Sequence, residues 1–389
     1  MEPKRILFYL EPITYANSPL RLAGWWNFFS AFARQSKGCF ISQIAASPAI
    51  CGLESDAFAL AHPLNQAKLL ESSAFHRAAY SQDLCRGLGY RNRPLLDALK
   101  AIKKSFAPDI VVSATDNRYL KKVFGRGNVM FMELGPLPRT GMKCSIYVDP
   151  FGHQIGSALD LFAKSRWEHP SLGEFGEIWR DRWLEPIREA SAQSGIAAWL
   201  DTVPKRNKIR LVALQPSDWI TYEGIGEMAD PVSVLRKVAH ESGEEWTIIP
   251  QWHPSDAPPS EALMEELTLA HPNILTPSPQ HRVAQSELII PHANSIAAVS
   301  SNVLATGAIM GKELKTIYNS KFKKYVYGES NNQYRLDLLA FISSKYCRPL
   351  DNFLNFEGEF ATHISRLWRN PRWLFDERDL NSAHLQAFL

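Results

Sequence analysis

Three strand-like segments of this chain end at polar residues that could hydrogen-bond a ligand or titrate. The first, "LVALQPSDW", reaches Gln215 and then Asp218, and the second, "IIPQWHPSD", reaches His253 and Pro254. The third runs into Ser-Ser-Asn at 300–302. Because ligands of open α/β sheets lie outside the carboxyl ends of the strands, these residues could share one site.

Each group suits a different part of a reaction at a phosphate ester. Ser300, Ser301 and Asn302 precede a predicted helix, whose free backbone N–H groups and partial positive charge favour a phosphate. His253, held by Pro254, could neutralise a leaving phosphate as the imidazolium, or donate one hydrogen bond to it as the neutral imidazole. A simple N-cap and a packed histidine are the structural alternatives.

Alternating strands and helices are predicted to position these residues. In the first half, strands are predicted at 5–11, 39–46, 109–115 and 128–135, a hairpin or turn at 144–159, and helices at 18–35, 95–106 and 172–200. In the second half the predicted strands are "IRLVALQ", "EWTIIPQW", "SELIIPH" and "KTIYN", with helices between them. This alternation is typical of βαβ units and therefore of right-handed parallel sheets.

The chain of 389 residues is long enough for two domains of about 200 residues each. We predict an N-terminal Rossmann-like domain over 1–200 and a second one over 201–329. The polar, proline-bearing stretch "DTVPKRNK" is the predicted linker. Residues 330–389 are predicted to form a helical tail that packs across both domains.

Composition argues against several classes of function. The net charge of +3 argues against a nucleic-acid partner, although a basic stretch at 86–126 could be either a solvated face or a surface for anions. The five cysteines are scattered without a CxxC pair, so they support neither a disulfide framework nor a zinc site. The absence of a signal-peptide pattern and of a long apolar run predicts a cytoplasmic protein. There is also no Walker A or GxGxxG motif.

The order of the three polar strand ends resembles the carboxyl-terminal domain of the bacterial capsule polysaccharide biosynthesis family. This family includes transferases of 3-deoxy-D-manno-oct-2-ulosonic acid (Kdo), similar to bacterial sialyltransferases. An earlier element, "FMELGPLPRTGMKCSIYVDPFG", is similar to the family's acidic-glycine motif, in which Glu133 and Gly135 match and Leu134 replaces a second acid. Thr306 replaces a glutamate common in related enzymes. The resemblance covers about 128–328.

The resemblance implies a GT-B glycosyltransferase of the α/β class. Two Rossmann-like domains would place parallel sheets on a central cleft, and the C-terminal helical tail would cross back. The first domain would bind the acceptor and the second the donor, CMP-β-Kdo, with no cofactor and no metal ion. The implied nucleotide- and phosphate-binding residues are Gln215, His253, Pro254, Ser300, Ser301, Asn302 and Lys312.

The family's Kdo branch implies a β-linked product and hence retention. Asp218 is then the predicted nucleophile and Glu133 the acid/base, although the two roles are exchangeable. His253 would assist the departing phosphate. Arg139 could pair with the Kdo carboxylate, and Tyr15 and Asn17 could contact the acceptor sugar.

Two other functions fit the same residues. An inverting, sialyltransferase-like enzyme would need only one base, and a GT-B-shaped binding subunit would need no catalytic residue. For a transferase, the predicted partners are CMP-Kdo and a glycan of the bacterial surface, with no nucleic acid. If the acceptor is lipid-linked, the basic stretch or "SRLWRNPRWLF" could contact the inner face of the cytoplasmic membrane.

Overall fold

The computed structural model describes residues 3–13, 19–51, 56–87, 91–153, 156–164, 174–203, 206, 208–216, 230–256, 259–283, 285–318, 320–323 and 332–375. The strands of this part are β1 (Lys4–Tyr9), β2 (Phe40–Ala46), β3 (Leu60–Pro63), β4 (Ile110–Ser113), β5 (Val129–Leu134), β6 (Ser145–Asp149), β7 (Lys208–Ala213), β8 (Trp246–Gln251), β9 (Ser295–Ala298), β10 (Glu313–Thr316) and β11 (Cys347–Pro349). Its α-helices are α1 (Pro19–Gln35), α2 (Pro48–Cys51), α3 (Gln66–Glu71), α4 (Arg77–Arg86), α5 (Arg93–Phe106), α6 (Arg118–Phe124), α7 (Ala158–Lys164), α8 (Glu174–Gln193), α9 (Ile196–Thr202), α10 (Pro231–Ser242), α11 (Glu261–Ala270), α12 (Ser286–Ile289), α13 (Val303–Ile309), α14 (Asn332–Phe341), α15 (Leu350–Asn355) and α16 (Glu359–Arg369).

The first sheet has seven strands in the order β11-β6-β5-β4-β1-β2-β3. The five strands from β5 to β3 are parallel, whereas β6 is antiparallel to both of its neighbours. Both faces of β1 are buried: Phe8 packs in the core that contains Phe29 of α1, and Leu7 packs in the core that contains Leu99 of α5. Burial on both faces explains why these strands are continuously apolar in sequence.

The second sheet has four parallel strands in the order β10-β9-β7-β8. Val212 and Ile248 pack on one face with Leu235 of α10, while Ile296 packs on the other face with Leu304 of α13. The carboxyl ends of β7 and β9 are adjacent because Ala213 pairs with Ala298. Polar residues that follow these two strands must therefore lie side by side.

The C-terminal tail returns to the first sheet. Its strand β11 pairs with β6, and its helices α15 and α16 pack on α1, where the ring centroids of Phe32 and Phe360 lie 4.8 Å apart. At its other end, α14 contacts both α13 and α8. The predicted fold class, two α/β units with parallel sheets and a helical tail that crosses back, is confirmed. The residue limits of the domains stay predictions.

One predicted strand is wrong. The stretch "SELIIPH" forms α12 and a 3-10 turn over Ile290–His292, and the strand that follows it is β9. A short apolar run has no decisive period, and Pro291 cannot donate a hydrogen bond to a neighbouring strand. The helical turns still bury Ile289 and Ile290, so these apolar side chains are removed from water without forming a strand.

Gly135 allows three strands to approach closely at the end of β5. Its backbone N–H donates to the carbonyl of Ser145 at 2.7 Å. A Cβ atom on Gly135 would lie 2.2 Å from Ser145 Oγ and 3.0 Å from Cys347 Sγ. The glycine after Glu133 is thus explained by the packing of β5, β6 and β11.

We expect Gly135→Ala to lower the free energy of unfolding by about 1–3 kcal/mol, because the added methyl group overlaps Ser145. Chemical denaturation measures this loss. The matched control is Gly24→Ala in α1, where no described atom other than those of the adjacent residues and the helix's own backbone lies within 4 Å of the Cβ position. The control should gain about 0.5–1 kcal/mol from the better helix propensity of alanine. Equal stabilities of the two variants would contradict the packing explanation.

No helix among the described residues is long and apolar enough to cross a membrane.

Candidate active site

Gln215 and Ser300 join the ends of β7 and β9. The side-chain amide of Gln215 donates to Ser300 Oγ at 3.1 Å, and the backbone N–H of Ser300 donates to Gln215 Oε1 at 3.1 Å. Both side chains are buried. The two strand-end residues therefore lie together, as the parallel-sheet argument predicts.

Asn302 connects this edge to the first sheet. Its Nδ2 donates to the backbone carbonyls of Leu134 at 3.0 Å and of Gly135 at 3.3 Å. Its Oδ1 is buried and has no hydrogen-bond partner among the described residues. Ser301 and Asn302 immediately precede α13, yet the Asn302 side chain does not cap that helix. The start of α13 therefore contacts the end of β5, immediately after Glu133.

Glu133 lies at the end of β5 within a cluster of ionisable side chains. Its Oε2 accepts hydrogen bonds from Tyr147 Oη at 2.8 Å and from Lys321 Nζ at 3.0 Å. His153 Nε2 is 3.4 Å from the same oxygen. We call Glu133, Tyr147, His153 and Lys321 the Glu133 cluster. The Glu133 side chain is 17% exposed, so the cluster has limited access to solvent.

The cluster holds Glu133 in its ionised form. Burial alone would raise the pKa of the Glu133 carboxyl, but the charge of Lys321, the charge that His153 carries in the acid range where Glu133 titrates, and the hydrogen bonds from Lys321 and Tyr147 lower it below its ordinary value. Burial raises the pKa of Tyr147 well above its ordinary value, and the nearby carboxylates raise it further. Tyr147 therefore stays a neutral phenol and donates a hydrogen bond to Glu133.

Lys321 is the residue of this cluster that sequence analysis could not find. It lies 188 residues from Glu133 in the chain, in the lysine-rich stretch "KFKK", yet it is fully buried. Its Nζ also lies 3.0 Å from Tyr147 Oη and 4.8 Å from the centroid of the Tyr147 ring. A solvated surface is the ordinary interpretation of such a stretch.

His253 follows β8 in a turn that contacts the first domain. His253 Nδ1 lies 2.6 Å from Ser255 Oγ and accepts from the Ser255 backbone N–H at 3.2 Å. Arg21 of α1 donates to Ser255 Oγ at 2.6 Å and lies 3.9 Å from Asp256. Because Nδ1 accepts the Ser255 backbone N–H, we assign the proton of the neutral imidazole to Nε2. Pro254 lies within this turn.

The structure separates Lys312 from the Gln215–Ser300 pair, whereas the role of Arg139 stays a prediction. Lys312 Nζ donates to the carbonyl of Pro291 at 3.0 Å, after the carboxyl end of α13 and just before β10 begins. In a parallel sheet this is the edge opposite to the one that holds Ser300, so the structure does not bring Lys312 to the predicted phosphate. The side chain of Arg139 is exposed, and its backbone N–H donates to Glu287. The sequence around Lys312 and Arg139 contains no pattern that would predict these contacts.

Three other predicted residues, Asp218, Tyr15 and Asn17, lie outside the described residues. Earlier in the chain, Glu11 follows β1 and is fully buried. It accepts hydrogen bonds from Tyr9, from Tyr80 at 2.7 Å and from the Ile13 backbone at 3.2 Å. Burial raises the pKa of the Glu11 carboxyl, so this network is a structural anchor for the end of β1.

A second bridge between the two sheets is formed by Glu287 of α12. Its Oε1 accepts from the Arg139 backbone N–H at 2.9 Å, and its Oε2 accepts from Thr140 N–H at 2.9 Å and from Thr140 Oγ1 at 2.6 Å. One carboxylate is thus held by three donors of the loop after β5. This contact fixes the loop that follows Glu133 against the second sheet.

We expect Glu287→Ala to lower the free energy of unfolding by about 1–3 kcal/mol, since hydrogen bonds to a charged group are stronger than neutral ones. Chemical denaturation is the measurement. Glu265→Ala, an exposed glutamate of α11, is the matched control and should change stability by less than about 0.5 kcal/mol. A Glu287→Ala protein as stable as the control would show that the bridge is not needed.

Among the described residues, no group of three or more histidine, cysteine, aspartate or glutamate side chains is arranged to hold a metal ion.

Comparison with known proteins finds similarity only among solved structures. No protein-family model matches the chain, and no curated protein matches it significantly. The KpsC β-Kdo 2,7 transferase of Thermosulfurimonas dismutans is 16% identical over 64% of this chain and 81% of its own, with a TM-score of 0.40. The KpsC β-Kdo 2,4 transferase of that organism is 15% identical over 64% and 88%, with a TM-score of 0.39.

A different activity occurs among the neighbours that cover nearly the whole chain. A putative UDP-N-acetylglucosamine 2-epimerase of Listeria monocytogenes is 12% identical over 98% of this chain and 99% of its own, with a TM-score of 0.30. With each TM-score at 0.40 or lower, none of these similarities assigns an activity to the chain.

Proposed function

We propose that the protein is a retaining glycosyltransferase that moves Kdo from CMP-β-Kdo to a hydroxyl group of a bacterial surface glycan. One observation carries the proposal: Asn302, which precedes helix α13 of the second sheet, donates hydrogen bonds to the backbone carbonyls that follow Glu133. This contact joins the carboxyl end of β5, which carries the ionised Glu133, to the carboxyl ends of β7 and β9, which lead to the Gln215–Ser300 pair. The family resemblance, which rests on the order of the motifs, implies that the Glu133 element and the Ser300 helix start contribute to one site.

In the first step a carboxylate oxygen of Asp218 attacks Kdo C2 as the bond from C2 to the phosphate oxygen breaks. CMP leaves with the bonding electron pair. The Nε2–H of His253 and the backbone at the start of α13 would stabilise the departing phosphate. We propose no metal ion, because one phosphate monoester can be neutralised by such donors.

In the second step the acceptor oxygen attacks C2 and the ester bond to Asp218 breaks. Glu133 removes the proton of the acceptor hydroxyl. Its ionised resting state suits this role, since a general base must begin unprotonated. Two displacements at the same carbon give net retention. We further propose that the enzyme acts in the cytoplasm and meets lipid-linked acceptors at the inner face of the membrane.

The experiment is intact-protein mass spectrometry after incubation with CMP-Kdo generated in situ and without acceptor. We expect the wild-type protein to gain the mass of one Kdo and Asp218→Ala to gain none. Free CMP is measured in the same samples. Asp230→Ala is the matched control, because this aspartate caps α10 by accepting hydrogen bonds from the backbone N–H and the hydroxyl of Ser233. The control should form the adduct.

Other outcomes separate the alternatives. CMP release that requires an acceptor, without any adduct, would contradict retention and favour an inverting CMP-sugar transferase. No CMP release under any condition would contradict the transferase function and favour a binding subunit.

A further inference from the structure

His153 is a buried histidine for which the proposed reaction has so far given no role. It lies in the loop after β6 and is 5% exposed. Neither ring nitrogen has a hydrogen-bond partner among the described residues. Buried polar groups are nearly always hydrogen-bonded, so an unpartnered imidazole in such a place needs an explanation.

The ring of His153 is positioned by the backbone of its loop. Asp149 at the end of β6 accepts from the backbone N–H groups of Phe151 at 2.9 Å, Gly152 at 3.1 Å and Ala158 at 2.7 Å. This loop therefore keeps its shape without any bond to the imidazole. His153 Nε2 is left 3.4 Å from Glu133 Oε2.

The two oxygens of Glu133 have different surroundings. Tyr147, Lys321 and His153 all gather at Oε2. No described residue forms a hydrogen bond or ion pair with Oε1, and the carboxylate keeps some access to solvent. Oε1 is thus the oxygen available to an acceptor hydroxyl, while Oε2 connects the carboxylate to the imidazole.

Four charged residues from different parts of the chain act on His153. Burial is the largest influence and lowers the pKa of the imidazole below its ordinary value of 6.5. Glu133 of β5 and Asp116 before α6 raise the pKa, while Lys321 and Lys121 of α6 lower it. The resting imidazole is therefore neutral at neutral pH and able to accept a proton.

We propose that His153 receives, through Glu133, the proton that the acceptor hydroxyl loses. The step rests on the proposed transferase function. The O–H bond of the acceptor breaks, its electron pair forms the bond to C2, and the ester bond to Asp218 breaks. The proton passes to Oε1 of Glu133, the carboxylic acid group turns so that its O–H reaches the imidazole, and Nε2 of His153 takes the proton, which leaves an imidazolium beside a carboxylate. Because Lys321 weakens Glu133 as a base, the imidazole supplies the basicity that the carboxylate lacks.

The test measures the second step by itself. The Kdo adduct is first formed with CMP-Kdo, acceptor is then added, and the rate of adduct loss is followed from about pH 5 to pH 9. For the wild type we expect the rate to fall in acid as His153 becomes protonated. For His153→Gln we expect adduct formation to persist, transfer at neutral pH to slow about tenfold or more, and the acid limb of the profile to disappear.

His363→Gln is the matched control. His363 in α16 is as deeply buried, and its Nε2 also lacks a hydrogen-bond partner among the described residues. This variant loses a buried imidazole outside the Glu133 cluster, so it should keep the wild-type rate and pH profile. If His153→Gln does not fold, His153→Gly with added imidazole replaces it, and recovery of transfer with imidazole concentration is the expected result.

Two outcomes would overturn the inference in different ways. If the adduct forms and His153→Gln transfers with the wild-type rate and profile, the role of His153 is wrong and the transferase function stands. If the wild-type protein forms no adduct, the proposed retaining function fails and the proton path fails with it.

Discussion

Replacing Lys321 with methionine is expected to lower the free energy of unfolding by about 3–5 kcal/mol, because it leaves a largely buried carboxylate without its cation. Lys321 is fully buried, and its Nζ lies 3.0 Å from Glu133 Oε2. Tyr147 alone can still donate a hydrogen bond to that oxygen, but it cannot neutralise the charge. Chemical denaturation at neutral pH measures the loss.

A double-mutant cycle separates the ion pair from the packing of the lysine stem. Glu133→Gln combined with Lys321→Met removes both charges, so we expect the double variant to recover most of the stability that Lys321→Met loses. Lys100→Met is the control, since the Lys100 side chain is 61% exposed. A loss below about 1 kcal/mol for Lys321→Met would mean that this pair behaves like an exposed one.

The same pair predicts a dependence on pH. The folded pKa of Glu133 is lowered from an unfolded value of about 4.5, so the folded state binds its proton less readily. The stabilisation is complete above the unfolded pKa and is lost as the pH falls through the folded pKa. The difference in unfolding free energy between the wild type and the double variant should therefore become smaller in acid.

The meeting of Gln215 with Ser300 could be predicted because it depends on short-range rules. Each residue follows an apolar strand, and the carboxyl ends of parallel strands must share one edge. Sequence patterns within about ten residues were enough for this contact. The contact between the start of α13 and the end of β5 does not follow from the same rule, because the two elements belong to different sheets.

The rest of the site depends on long-range packing, which leaves no local pattern. His153 and Tyr147 are side chains of a predicted hairpin or turn, and only the antiparallel pairing of β6 with β5 brings Tyr147 to Glu133. Lys321 reaches the cluster from beyond the second sheet. For Lys312 the motif order implied a phosphate ligand, but the helix α13 separates this lysine from Ser300 by its whole length.

Glu133→Gln is expected to slow transfer from the Kdo adduct to the acceptor by about 10²–10⁴-fold, the range for loss of a general base. The amide keeps the size of the carboxylate and can still accept hydrogen bonds from Tyr147 and Lys321 through its oxygen. It cannot accept the proton of the acceptor hydroxyl. The covalent adduct on Asp218 should therefore accumulate in the presence of acceptor, where the wild-type protein turns it over.

A time course of intact-protein mass spectra measures both the amount of adduct and its rate of loss. Glu265→Gln is the control, because it replaces an exposed carboxylate of α11 that lies outside the Glu133 cluster. If Glu133→Gln forms no adduct while Asp218→Ala does, the two carboxylates have exchanged roles and Glu133 is the nucleophile. Since Lys321 and Tyr147 hold one Glu133 oxygen and leave the other open, the geometry permits either attack on C2 or removal of a proton, and only this pair of variants distinguishes them.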